Sequence, residues 1–236
     1  MRRLILLLAV AIALPGYAAK PVSHLVAPPP GATLPVTLLS TLDSRNLTAG
    51  RPVIARLSQR VPVTANSYLP PKVEIIGSIV DPRPSSFGIL FTQLRWKGET
   101  VPVHVRLVAA ASVNSLFQAS MPVGGTDRGT SSPADWTTRQ VGGDEIYRSA
   151  GYGKVYNQFS EPVGHADLNG VYQTPAAPGD VPHAMGPFST TAAGLHGFTN
   201  FSLVSPGGAD KPVRLSTTGP KWKLPSGTAL LLEAVH

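Results

Sequence analysis

From Thr33 to Leu107 apolar and polar positions alternate with the two-residue period of strands that bury one face. Leu34, Val36 and Leu38 alternate with Pro35 and Thr37, and Val53, Ala55 and Leu57 alternate with Ile54, Arg56 and Ser58. Val73 to Val80 and Phe87 to Trp96 are apolar on both faces, which predicts central strands or a covered sheet. Between them Asp81-Pro82-Arg83-Pro84-Ser85-Ser86 reads as a turn, because proline gives a ladder no donor. Lys97-Gly98-Glu99 then leads into a strand from Thr100 to Val108, with Val101, Val103, Val105 and Leu107 on one face and Pro102, His104 and Arg106 on the other. Closely spaced strands with short turns predict an antiparallel meander.

The pattern weakens from Ala109 to about Gly197, where Gly, Pro, Ser, Thr and Asn accumulate and long irregular loops are expected. One short helix is predicted over Ala109 to Ala119, with Val113, Leu116 and Phe117 on a shared face. Strand signals return at Phe198 to Val204, Val213 to Ser216 and Thr228 to Val235. The last is apolar on both faces and is expected to pair inside the main sheet. The predicted fold is mainly β: an antiparallel β-barrel or β-sandwich forming one domain over 33–236. Its core strands lie in 33–110 and 197–236, with a long loop-rich insertion over 111–196.

Ahead of this body, Arg2 and Arg3 precede an apolar run from Leu4 to Leu14, followed by Pro15-Gly16 and the small residues around Ala18. Residues 1–18 read as a signal peptide cut after Ala18 or Ala19, and the run is well short of the roughly 20 residues that span a bilayer. Residues 19–32, with Pro28-Pro29-Pro30-Gly31, read as an extended linker. The chain has no cysteine, so neither a disulfide framework nor a lipid-modified cysteine terminus is available. Of the formal charge of +7, two units belong to Arg2 and Arg3, and the other cations are scattered singly. No basic arm of the kind that binds nucleic acid is present.

As an ordered set, Gly31 to Leu39, Gly50 to Leu57 and Leu69-Pro70-Pro71-Lys72-Val73-Glu74-Ile75-Ile76-Gly77 carry a resemblance. So do Leu94-Arg95-Trp96, the Gly98 turn, Val101-Pro102-Val103 and the end from Leu224 to Leu232. Together they resemble the carboxy-terminal β-barrel domain of the TrbI-like conjugation family, the outer-membrane-complex subunits of type IV secretion systems. The resemblance implies a barrel that works in a cell-envelope assembly. This chain differs from the family in its apparently cleavable leader and in lacking a clear apolar helical hairpin. A second stretch, Asp135 to Asp144, resembles a segment of uncharacterised secreted proteins of environmental bacteria and implies export without an activity.

Candidate chemistry is sparse. None of His24, His104, His165, His183, His196 and His236 has another at helical zinc-ligand spacing. His165 and Asp167, with His183 or His196, are the one set that a fold could gather around a metal, and polar loop residues are the expected reading. No Gly-x-Ser-x-Gly elbow surrounds Ser112, Ser115 or Ser120. Asp144-Glu145 would point to opposite faces of a strand, which does not suit a paired-carboxylate hydrolase. Gly142-Gly143 and Gly207-Gly208 lack the spacing and lysine of a phosphate loop.

No catalytic residue, metal or cofactor is therefore expected. Trp136, Tyr147, Tyr152 and Tyr156 offer a candidate binding surface of loop aromatics. The expected role is a non-enzymatic, exported protein of the periplasm or outer envelope, whose partner is an envelope protein or a second copy. A secreted glycan-binding module is the alternative, with an unrecognised hydrolase behind it. Expressed with its native leader in a Gram-negative host, the chain should give a soluble periplasmic species beginning near Ala19 or Lys20. Mass spectrometry of fractionated cells checks this, and an uncut membrane-bound species would overturn it.

Overall fold

The computed structural model describes residues 20–123, 137–147, 153–175, 177 and 180–236. The expected signal peptide lies outside them. In chain order the first elements are β1 (Lys20–Pro21), β2 (Thr33–Leu38), β3 (Leu42–Asp43), β4 (Pro52–Leu57), β5 (Val61–Thr64), β6 (Ser67–Leu69), β7 (Glu74–Arg83), β8 (Ser86–Trp96), β9 (Glu99–Pro102) and β10 (Val105–Ala111). Next come α1 (Val113–Ser120), β11 (Thr137–Arg139), β12 (Glu145–Tyr147), β13 (Gly153–Tyr156), β14 (Pro162–Asp167) and β15 (Gly170–Gln173). The chain finishes with β16 (Gly194–His196), β17 (Phe201–Ser205), β18 (Val213–Thr217), β19 (Lys223–Leu224) and β20 (Ala229–Ala234).

The main sheet runs β16-β10-β20-β2-β4-β7-β8-β18-β17, with β9 added on β8, and it curls into a nearly closed barrel. Every neighbour in it is antiparallel except β10 and β16. The two ends of the sheet meet where β10 outruns its short partner. β16 pairs with Ala109 to Ala111, while the Leu107 N–H donates to the Pro206 carbonyl at 2.6 Å and Arg106 bridges Gly207 beyond β17. A bulge at the Leu107/Ala109 step changes which residues of β10 face inward. Leu107 and Ala110 lie in the barrel core, and Ala109 and Ala111 in a second core outside it.

Leu34, Ile75, Ile79, Phe87, Leu94 and Leu232 fill the barrel, all fully buried. Toward β3 and β19, Trp222 stacks on Phe87 with ring centroids 4.3 Å apart, and Phe201 meets both edge-on. One void beside the seam, among Ile89, Phe91, Leu107, Phe198, Phe201 and Leu230, measures about 20 Å³, room for one water-sized sphere.

As its two apolar faces predict, β20 sits inside the sheet, between β10 and β2. Leu230 and Leu232 point into the barrel, while Ala229 and Leu231 join Ala109 and Ala111 under Met185, Phe188, Val141 and Ala192. β7 has the expected neighbours, β4 and β8, but its outer face is only half-buried, so it is central without being covered on both sides.

Four expectations are corrected. The segment read as loops contains a five-stranded antiparallel meander, β11 to β15, around Ile146, Val155 and Ala166. Thr100 to Val108 is not one strand: β9 pairs with β8, the chain steps across at Val103-His104, and β10 pairs with β20. The helix begins at Val113, because Ala109 to Ala111 are held in the sheet and Ser112 caps the first turn. Residues 20–32 are seated on the body where a linker was expected. β1 pairs in parallel with β6, Leu25 is 6% exposed within the core, and the Gly31 N–H donates to the Ala234 carbonyl.

Gln59 fastens the insertion to the barrel. Its buried side-chain Oε1 accepts from the N–H groups of Val171 at 3.0 Å and Gly186 at 2.9 Å, and its Nε2 donates to the Val171 carbonyl. Gly170, at φ 143, leaves the space this amide fills, since a Cβ there would collide with it. Gln59→Ala leaves two amides without an acceptor and should cost about 1–3 kcal/mol. Denaturant unfolding measures the loss, and hydrogen exchange should accelerate at Val171 and Gly186.

Candidate functional site

The residues suspected of chemistry carry structural duties in the fold. Ser112 caps α1 by accepting from the Ser115 N–H at 3.2 Å, and the Ser120 hydroxyl donates to the Phe117 carbonyl at the other end. Asp144 is buried and accepts from the Thr190 N–H at 2.6 Å and hydroxyl at 2.9 Å, which pins β12 to the 185–192 cover. Glu145, on the next position, pairs with Arg139 across the meander.

His165 lies on β14 and stacks on Tyr172 at 5.3 Å, and Asp167 closes the β14–β15 turn by accepting from the Asn169 N–H. Tyr172 is buried against the barrel, and loss of water there raises its hydroxyl well above the usual phenol range. Among the described residues no three His, Asp or Glu side chains gather as metal ligands, so His165, Asp167, His183 and His196 are not brought together.

Of the aromatic surface, Trp136 and Tyr152 lie outside the described residues. Tyr147 ends β12, and Tyr156 ends β13 opposite Glu145 and is half-buried. Phe159 is exposed in the turn between β13 and β14.

The surface that stands out instead is α1. Leu116 and Ala119 pack on the outer core, whereas Val113, Phe117 and Met121 remain 45%, 60% and 47% exposed. Four-residue spacing sets these three in one row along the helix and its cap. The other exposed large apolar side chains of the described residues, Val26, Leu39, Phe159, Leu168 and Val204, are spread over five segments. Of Val113, Leu116 and Phe117, expected on a shared face, only Leu116 packs on the core, because the helix lies on its Leu116–Ala119 side.

A second surface runs along the amino-terminal strap. The Glu99 carboxylate on β9 accepts from the Leu25 N–H at 2.6 Å and meets His24 Nδ1 at 3.2 Å. The Leu25 N–H, and after it His24, hold Glu99 below its ordinary value. Pro21, Val22 and Ser23 of the strap border an open cleft of about 590 Å³ with Arg60, Tyr68, Trp96 and Lys97. Sequence patterning could not assemble it, since its walls come from three separated stretches of chain.

A group whose pKa is depressed by folding stabilises the folded form above the unfolded carboxylate range, and loses that effect as pH falls through its folded value. The strap contact at Leu25 should therefore persist through neutral pH and release in acid. The Leu25 amide shift, followed by NMR, should titrate below the ordinary carboxylate range, and Glu99→Gln should abolish that titration. Comparisons of this chain with protein-family models, with curated proteins and with solved structures find no match.

Proposed function

We propose that this chain is an exported, non-enzymatic protein of the cell envelope, a TrbI-like β-barrel that works through its exterior by binding an envelope protein or a second copy of itself. The observation that carries this reading is the apolar row on α1. A helix of eight residues exposes Val113 and Phe117, with Met121 at its cap. Clustered exposed apolar side chains mark sites of protein association. The TrbI-like likeness of the strand and turn segments agrees with a place in an envelope assembly.

Phe117→Asp removes the row's largest member at an exposed site, so stability should change by no more than about 0.5 kcal/mol. If the partner is a second copy, sedimentation should show a dimer that this variant converts to monomer. If the partner is another envelope protein, a photo-crosslinker at position 117 should give one defined adduct in intact cells, lost on replacing Val113 and Met121 by Asp. A monomer with no adduct would overturn the reading.

A further inference from the structure

The cleft beside the strap has a composition that α1 does not. Arg60 lies over the Tyr68 ring with its guanidinium carbon 4.4 Å from the centroid, and Lys97 Nζ lies 4.3 Å over the Trp96 ring. Each ring face holds a cation in place and shields one side of it from water. Lys72 borders the same cleft, after the prolines Pro70 and Pro71. Among the described residues none of Arg60, Lys72 and Lys97 has an ion-pair partner. Of the acidic side chains nearby, Glu74 is held by Arg56 and Arg95, and Glu99 is held first by the Leu25 N–H and His24 and also feels the charge of Lys97, so that Arg60 and Lys72 are the cations with no acidic side chain set against them. Positive charge is thus left over at one concave place.

The two lysines also sit where the backbone disfavours a side chain. Lys72 has φ 95 in the Pro70-Pro71-Lys72-Val73 turn, closed by the Val73 N–H on the Pro70 carbonyl, a position that favours glycine. Lys97 has φ 50 in the two-residue turn from β8 to β9, where asparagine or aspartate before Gly98 is the favoured choice. Both turns would form more readily without these lysines, and both present a cation to the same cleft. Positive φ is uncommon for a residue other than glycine, and two of the five such residues among the described ones border this cleft.

We propose that this cleft binds an acidic glycan, a chain of hexuronate units. Carboxylates of the sugar meet Arg60, Lys72 and Lys97, while its ring faces lie on Pro70 and Pro71. Charge complementarity selects an anion. A volume of about 590 Å³ accommodates a few sugar rings. An anionic membrane surface fits less well, because Val26, Phe117, Phe159 and the other exposed large apolar side chains that would enter a bilayer lie outside the cleft.

The test is calorimetric titration of the full secreted chain with tetragalacturonate, against dextran oligosaccharide, a glutamate tetrapeptide and phosphatidylglycerol vesicles. The variants are Lys72→Gly and Lys97→Asn, singly and together. Each replacement suits its turn, so thermal stability should hold or rise. Each should weaken tetragalacturonate binding about tenfold, as loss of one charge-assisted contact does. No binding to tetragalacturonate would overturn the proposal, as would binding unchanged in the double variant. Equal affinity for the peptide or the vesicles would replace the glycan with a general polyanion and overturn it as well.

Discussion

The outer face of the β10-β20-β2 stretch cannot face water, and the arrangement of the insertion follows from that. Ala109, Ala111, Ala229 and Leu231 point away from the barrel yet are at most 3% exposed. Met185, Phe188 and Ala192 lie over them, held by the Gln59 amide, by the Thr33 hydroxyl on the Ala184 carbonyl, and by Asp144 on Thr190. Burying a polar side chain is tolerated only where its hydrogen bonds are met. Gln59 and Asp144 meet that condition by bonding to the segment that covers the apolar face. The described part of the insertion is thus tied to the barrel at Val171, Ala184 and Gly186, and β12 is tied in turn to that cover through Asp144 and Thr190.

Much of the barrel was legible because strand alternation is a strong signal. Leu34 to Leu38, Val53 to Leu57 and Phe87 to Trp96 lie in strands as read, and the two apolar faces of Thr228 to Val235 placed that strand inside the sheet. Reading failed where local pattern and tertiary pairing diverge. The alanines after Val108 favour helix by propensity, but pairing with β20 and β16 holds them extended. The meander strands are three to six residues long, too short for a period to emerge. The Pro-rich 20–32 segment shows no alternation, and its order comes from single contacts such as Leu25 with Glu99.

The surfaces were less legible than the fold. The row on α1 was not legible as exposed, since helical spacing says which residues share a side and not whether that side is covered. The cleft escaped notice because Lys72 and Lys97 look like ordinary turn lysines until their positive φ angles and the common cleft are seen. Its two cation–ring pairs differ in range: Lys97 is next to Trp96, while Arg60 and Tyr68 meet through the packing of β5 and β6.

The place of β20 also constrains how the chain can fold. β2 is the first strand of the barrel to be synthesised and β10 its sixth, yet the last strand of the chain separates them. Until Ala229 to Ala234 are available, the growing sheet has two unpaired apolar edges and cannot curl shut. Contacts so distant in sequence are formed slowly. A chain stalled or clipped before Ala229 would be an open sheet with sticky edges, a substrate for chaperones and proteases, even though every barrel strand but β20 were intact.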